Sequence, residues 1–158
     1  MLRVSGFHNK APQFQFVCRK NVVLSIDTDK TDEETLLKAI KKAETTHLVH
    51  AKWRLVDYTS YADLTAIPGH YVIFWELTKV DNEEAKKMDI DELSDMVQDC
   101  CLVIEDGLDA VYRQGRVSDK SIGPLEIRVV TPGTFDTLMD FCVANGSSIS
   151  QYKTPRCV

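Results

Sequence analysis

The sequence lacks a glycine-rich phosphate loop, an excess of positive charge and any long apolar run. Its 7 glycines in 158 residues never adopt the spacing of a nucleotide-binding loop. The net charge of -5 disfavours nucleic acid or an anionic membrane as the main partner. No run of about eighteen apolar residues occurs, and residues 1–10 lack the apolar centre of a signal peptide. These absences predict a soluble, cytoplasmic protein that binds neither nucleic acid nor a membrane.

Paired cysteines are also missing. The chain has five, an odd number without the short paired spacings of zinc ligands or a disulfide framework: Cys18, Cys100, Cys101, Cys142 and Cys157. We therefore expect no metal site, and we expect Cys100 to fill a small space in the core. No nucleophile with a neighbouring base is recognisable, so Asp57 or Asp63 as a general base would be a guess.

What the sequence does contain is a regular series of strand and helix patterns, sufficient for one domain. Apolar runs and alternation predict strands at residues 13–18, 22–26, 53–57, 70–77 and 125–129. The nearly continuous apolar run 70–77 is expected in the middle of the sheet, and the hydroxyl-rich segment Tyr58–Asp63 is expected to be a loop. Apolar residues three and four apart predict helices from Asp32, from Asp91 through Tyr112 with an end at Gly115, and from Thr134 with a stop at Asn145–Gly146. Thr31 with Glu34 forms a capping box for the first helix, and Thr134 is the expected cap of the last.

This order of elements predicts an α+β fold of the split βαβ, ferredoxin-like type. We expect a sheet of about four to five mostly antiparallel strands with helices mainly on one face. An N-terminal hinge strand would precede the sheet, and an extended C-terminal tail would follow it. The first ten residues have no apolar surface of their own to pack against, so a missing N-terminal portion is expected.

Two basic clusters are candidate anion sites. The final segment, residues 146–158, has neither a helical nor an inner-strand pattern, and Pro155 has no N–H to donate. We expect an extended surface loop, either solvated and fraying or presenting Lys153 and Arg156 to an anion. The second cluster, which would serve equally well to stabilise a helix C-terminus, comprises Arg113, Arg116 and Lys120.

Six strings of the sequence together resemble one protein family. They are SGFHNKAP (5–12), FVCRKNVVL (16–24), YTSYAD (58–63), PGHYV (68–72), SIGPLEIRVV (121–130) and QYKTPRC (151–157). The set resembles the plant Gretchen Hagen family of auxin-responsive acyl acid amido synthetases, and within it most of all the indole-3-acetic acid-amido synthetases. The resemblance runs the whole length of the chain.

The resemblance implies an ATP-dependent, adenylate-forming ligase of auxin homeostasis. With ATP and Mg²⁺, such an enzyme activates a plant-hormone carboxylate, here indole-3-acetic acid, and an amino acid then attacks the acyl adenylate to form an amide. A large N-terminal domain would bind ATP, hormone and amino acid. Residues 1–21 would be the interdomain hinge and first strand, and residues 22–158 the small mobile C-terminal domain. Alone, this chain is expected to be inactive and to bind no ATP or Mg²⁺.

The same resemblance implies roles for four residues. Lys153 is similar to the C-terminal lysine that meets the phosphates during adenylation, where an ammonium can neutralise charge on the α-phosphate and the leaving pyrophosphate. Arg19 and Lys20 are implied nucleotide contacts at the hinge, and Asn21 is implied as a hinge residue. The role of the YTSYAD segment stays open.

Two alternatives remain from other functional classes. Split βαβ domains also serve as small-molecule sensors, and fold alone does not decide function. The segment Asp27–Thr31 argues against a sensor, because it has no glycine for close backbone approach and two carboxylates that would repel an amino acid's acid group. The other alternative is an interaction domain that uses the acidic stretch Asp81–Glu92.

Overall fold

The computed structural model describes residues 2–16, 23–80, 90–150 and 152–158, and it has an α+β fold. Its strands are β1 (Leu2–His8), β2 (Ala11–Phe16), β3 (Val23–Leu24), β4 (Thr31–Asp32), β5 (Trp53–Asp63), β6 (His70–Lys79) and β7 (Glu126–Val130). Its α-helices are α1 (Glu33–Ala43), α2 (Ile90–Gly107), α3 (Ala110–Val117) and α4 (Thr134–Ala144). A π-helical turn, Glu44–Leu48, extends α1. The predicted fold class is therefore confirmed.

The arrangement of strands differs from the expected split βαβ sheet. Among the described residues the main sheet has three strands in the order β5-β6-β7, and β1-β2 and β3-β4 are separate antiparallel pairs. β5 is antiparallel to β6, whereas β7 is parallel to β6 and directly beside it, with Val72 opposite Glu126. A split βαβ unit needs another strand between these two. The connection through α2 and α3 instead forms a simple βαβ crossover.

The core lies between one face of the sheet and the helices α1 and α2. Side chains of β6 that point to this face, from Tyr71 to Leu77, are buried together with Leu36 and Ile40 of α1. Cys100 and Ile104 of α2 belong to the same cluster, and Cys100 fills core space as expected. The predicted central position of β6 is correct, because it has a hydrogen-bonded neighbour on each side.

The first helix begins one residue later than the capping-box pattern predicts. Asp32 is the N-cap, and its carboxylate accepts a hydrogen bond from the Thr35 amide at 2.8 Å. Thr31 is instead a buried residue of β4, paired with Leu24 and 3.4 Å from the Tyr71 hydroxyl. The strand pairing removes Thr31 from the cap, and the adjacent aspartate takes that position.

The predicted long helix is two helices with a break after Gly107. Asp109 caps the second one, since its carboxylate accepts the Tyr112 amide at 2.8 Å. Gly115, the expected end, lies buried inside α3. The break turns α3 so that the ring of Tyr112 stacks on that of Tyr71, with centroids 5.2 Å apart.

The last helix is capped from the sheet rather than by its own threonine. Gly133, with a φ of 83°, is the N-cap, and Thr134 is the first helical residue. The carboxylate of Glu76 accepts the amides of Gly133 and Phe135 at 2.7 and 2.9 Å. Because Glu76 points away from the α1 side of β6, α4 begins on the opposite face of the sheet. The predicted stop at Asn145–Gly146 is confirmed.

Candidate functional site

The C-terminal tail lies along the edge of β5 that is not paired with β6. The segment predicted as a hydroxyl-rich loop, Tyr58–Asp63, is the second half of β5. The Val158 amide donates to the Ser60 carbonyl at 2.9 Å, so the end of the chain is attached to this strand. The tail is extended, as predicted, and residues 154–158 contact the domain.

Lys153 is the exposed residue between two anchored neighbours. The phenol oxygen of Tyr152 is buried, and Thr154 is 9% exposed. Lys153 itself is exposed, and its ammonium makes no ion pair or hydrogen bond with the described part of the chain. A fixed backbone with an outward-pointing ammonium can present a positive charge to an anion outside this domain.

The anchor of the tail centres on Asp57 in β5. One carboxylate oxygen accepts the Thr154 hydroxyl at 2.6 Å. The other is paired with the Arg156 guanidinium and also accepts the Tyr58 amide at 2.9 Å. The guanidinium donates to the Tyr58 carbonyl at 2.9 Å as well. Arg156 is therefore used inside the domain, and of the two tail cations only Lys153 remains available to a ligand.

The aromatic ring of Tyr58 adds a further contact to this anchor. Arg156 lies over the Tyr58 ring, 4.6 Å from its centroid, in a cation-π arrangement. Burial raises the pKa of Tyr58 to about 12, although the nearby guanidinium opposes the shift. The phenol therefore stays neutral through the physiological pH range, and its ring face remains an attractive surface for the cation.

Hydroxyl groups of β5 hold the remaining tail residues. Thr59 donates to the Pro155 carbonyl and Ser60 donates to the Arg156 carbonyl, each at 2.6 Å. Cys157 enters the core cluster, and burial raises the pKa of its thiol. The YTSYAD segment thus has a structural role that the sequence left open: it is the strand that binds the tail.

The other sequence-predicted residues fall into two groups. Arg19, Lys20 and Asn21 lie outside the described residues. The guessed general bases are both engaged: Asp57 in the tail anchor, and Asp63 by the hydroxyl and amide of Thr65 at 2.6 and 2.9 Å. Those two hydrogen bonds lower the pKa of Asp63, which makes it a weaker base.

In the second basic cluster, Arg116 is engaged within the domain. Arg116 pairs with Glu105 at 2.5 Å, and this hydrogen bond raises the pKa of the guanidinium. Glu105 also accepts the Tyr112 hydroxyl at 2.9 Å and the Leu125 amide at 3.0 Å. The group joins α2, α3 and the segment before β7, so its role is structural.

An open groove of about 450 Å³ lies beside the start of β6 and β7. Its lining residues are Ala66, Pro68, His70, Gly123, Pro124, Leu125 and Glu126. Only two of these carry ionisable side chains, and they pair with each other, His70 Nε2 lying 3.1 Å from Glu126 Oε2. Arg128 binds the same carboxylate. The groove therefore offers no unpaired cation to a phosphate.

Neither a metal centre nor a membrane span is found in the described ranges. No group of three or more His, Cys, Asp or Glu side chains there is placed to hold a metal ion. No helix among the same residues is long and apolar enough to cross a bilayer.

Local patterns did not reveal the residues that fasten the tail. Asp57 and Thr154 are 97 positions apart, and Thr59 and Pro155 are 96 apart. The available signal was compositional: hydroxyls and one acid on a strand, and hydroxyl, proline and arginine in the tail. That signal does not say which segments meet.

Comparison with known proteins identifies the family. Residues 34–158 match the model of the GH3 family C-terminal domain. The chain is 61% identical to the Arabidopsis thaliana indole-3-acetic acid-amido synthetase GH3.17 and 60% identical to GH3.5 of the same plant. All of this chain is covered in both matches, but only 26% and 24% of those relatives.

Solved structures give the same result. One, an AtGH3.15 acyl acid amido synthetase in complex with 2,4-DB, matches with a TM-score of 0.80 and 52% identity over 99% of this chain and 27% of that one. Another GH3.15 acyl acid amido synthetase structure matches with a TM-score of 0.77. The chain thus spans about a quarter of the length of its relatives. It belongs to the GH3 family and is the C-terminal domain of that family's proteins.

Proposed function

We propose that this chain is the C-terminal domain of an ATP-dependent ligase that joins indole-3-acetic acid to an amino acid in the cytoplasm. Two relatives, 61% and 60% identical to this chain, are named indole-3-acetic acid-amido synthetases. The enzyme would form an acyl adenylate with release of pyrophosphate and then transfer the acyl group to the amine. The observation that carries this proposal is that the whole of this chain matches the C-terminal quarter of amido synthetases of the GH3 family.

The remaining three quarters of such an enzyme would supply most of the substrate sites. Residues 22–158 would form the mobile domain, with residues 1–21 as its link to the larger one. ATP, the hormone and the amino acid would bind in the larger domain. Mg²⁺ would accompany the triphosphate there.

Lys153 is the residue of this domain that we propose for catalysis. Its ammonium is exposed and unpaired within the described structure, while the adjacent Tyr152 and Thr154 are anchored. When the domain closes over bound ATP, the ammonium would meet the α-phosphate and the leaving pyrophosphate. Charge stabilisation there gains strength from the exclusion of water.

The test is a completed enzyme, made by joining the N-terminal three quarters of Arabidopsis GH3.17 to this chain. We expect hormone-dependent pyrophosphate release, followed by amide formation with an amino acid. Lys153→Ala should slow pyrophosphate release by about a hundredfold, the scale of losing one transition-state charge contact. Lys41→Ala, an equally exposed lysine on α1, is the matched control and should leave the rate unchanged.

Pyrophosphate release that does not depend on the hormone would contradict the ligase assignment. A normal rate in Lys153→Ala would contradict the role of the lysine but leave the ligase assignment in place. The two parts of the proposal are therefore tested separately.

A further inference from the structure

Of the residues that hold the tail, Asp57 binds the tail position closest to Lys153 in the sequence, Thr154. It stands at a β-bulge, where the register of β5 against β6 shifts between Leu55 and Asp57. A bulge bends its strand and redirects the side chain beside it. Here the redirected carboxylate receives the Thr154 hydroxyl at 2.6 Å, one residue after Lys153.

The other fasteners of the tail act further along the chain. Ser60 and Thr59 bind the carbonyls of Arg156 and Pro155, and Val158 is bound by its amide. Cys157 is buried in the core. Without Asp57, residues 155–158 would keep these contacts, whereas Thr154, the residue next to Lys153, would lose its direct connection to β5.

We propose that Asp57 is a positioning residue for Lys153: by binding Thr154 and Arg156 it fixes the tail backbone so that the lysine ammonium points outward at one place. This inference rests on the proposed function of Lys153. A lysine side chain is long and flexible, so its backbone position limits where the charge can go. Small misplacements of a catalytic group cost large factors in rate.

The first test uses the 158-residue chain and needs no activity. Asp57→Asn removes the carboxylate charge, and backbone ¹⁵N relaxation order parameters are then measured along the whole chain. We expect the order parameters of Lys153 and Thr154 to fall below about 0.6, because an opened anchor frees this part of the backbone. Order parameters in α1 and β6 should not change. Unchanged order parameters at Lys153 and Thr154 would overturn the inference.

Two substitutions of Thr154 keep this test informative if Asp57→Asn does not fold. Thr154→Val retains the shape and removes the hydroxyl, whereas Thr154→Ser retains the hydroxyl. Thr154→Val should reproduce the lower order parameters, and Thr154→Ser should keep those of the unchanged protein. Equal order parameters in the two variants would show that the hydrogen bond to Asp57 does not hold the tail.

The second test is a double-mutant cycle in the completed enzyme. Asp57→Asn should lower kcat for adenylation about tenfold or more and leave KM for ATP within about twofold, since the lost contact is one made in the transition state. In a Lys153→Ala background the same change should have no further effect on kcat. Glu126→Gln, which breaks the carboxylate–arginine pair on β7, should not alter kcat in either background.

The outcomes separate this inference from the proposed function. If Lys153→Ala slows adenylation and Asp57→Asn does not, the lysine role stands and the positioning role of Asp57 is overturned. Equal losses from Asp57→Asn in both backgrounds would overturn it too, because the carboxylate would then act without the lysine. A normal rate in Lys153→Ala would overturn both the role of the lysine and the positioning role of Asp57.

Discussion

At the scale of single residues, acidic side chains of this chain often act as acceptors that fasten backbone segments. Asp29 is fully buried, yet it accepts the amides of Ile26 and Asp27 at 2.9 and 3.0 Å and the hydroxyl of Tyr71. Glu76 binds the start of α4 in the same way. These hydrogen bonds satisfy the buried carboxylate oxygens and offset the cost of burying them. Some of the acidic residues behind the net charge of -5 therefore have a structural role.

Asp32 provides a test of this use of a carboxylate, because it caps α1 and is exposed. Hydrogen bonds from the Thr35 amide and hydroxyl lower its pKa below the usual value of an aspartate. We expect Asp32→Ala to lower the free energy of unfolding at pH 7 by about 1 kcal/mol, the usual value of an N-cap. Asp32→Asn should cost less, since its amide oxygen can accept the same hydrogen bonds.

The pH dependence of that difference follows from the direction of the pKa shift. A lowered folded-state pKa gives stability that is present above the unfolded-state value and is lost as the pH falls through the folded-state value. The advantage of wild type over Asp32→Asn should hold at pH 7 and shrink from about pH 4 downward. Urea unfolding of both proteins at a series of pH values measures it. A difference independent of pH would show that charge does not contribute to the cap.

At the scale of elements, the contact between α1 and α2 depends on two small residues. A Cβ added at Gly107 would lie 2.9 Å from the Cβ of Ala39 in α1, which is closer than such atoms approach. The α2 helix also ends at this glycine. Gly107 is therefore both the point of close contact between the two helices and the residue at which α2 ends.

Gly107→Ala tests this contact against helix propensity. Alanine is the better helix former by about 1 kcal/mol, so propensity alone predicts a gain. We expect a loss of about 1–3 kcal/mol, because overpacking forces the two helices apart. Chemical denaturation measures the change. Ala39→Gly combined with Gly107→Ala should recover part of it, and failure to recover any would place the strain elsewhere.

The helices and strands also show which features of the fold local sequence patterns can predict. The period of three and four predicted the helices, because amphipathic faces are local properties of the chain. The break at Gly107 was missed, because the apolar period continues across it through Ile104, Leu108 and Tyr112. Tyr58–Asp63 was assigned to a loop from its hydroxyls, two of which bind a tail that lies 96 positions further on.

The sheet and the site divide in the same way. A nearly continuous apolar run indicated β6 and its central position, but it could not show that β7 would lie parallel and directly beside it. Lys153 was selected through family resemblance, and the structure adds its exposure between two anchored residues. The pairing of Asp57 with Thr154 and Arg156 is a tertiary contact, for which the local sequence has no period or spacing.

At the scale of the whole molecule, the exposed ammonium of Lys153 fits a site that the larger domain of the proposed enzyme would complete. In bulk water, two unit charges 4 Å apart interact by about 1 kcal/mol, and at an effective dielectric of 20 by about 4 kcal/mol. An ammonium on the surface of this domain is therefore a weak catalyst. It becomes effective only in a site from which another body excludes the water.

We therefore expect the 158-residue chain alone to give neither hormone-dependent pyrophosphate release nor an amide product. Joined to the N-terminal three quarters of Arabidopsis GH3.17, the same chain should give both, because closure would bring Lys153 to bound ATP in a site of low polarity. Pyrophosphate detection and mass spectrometry of the conjugate measure the two steps. Titration calorimetry of the isolated chain with free amino acids provides a control, and we expect no saturable heat. Conjugate formed by the isolated chain would contradict the dependence on a second body, whereas tight amino-acid binding by it would favour the sensor alternative.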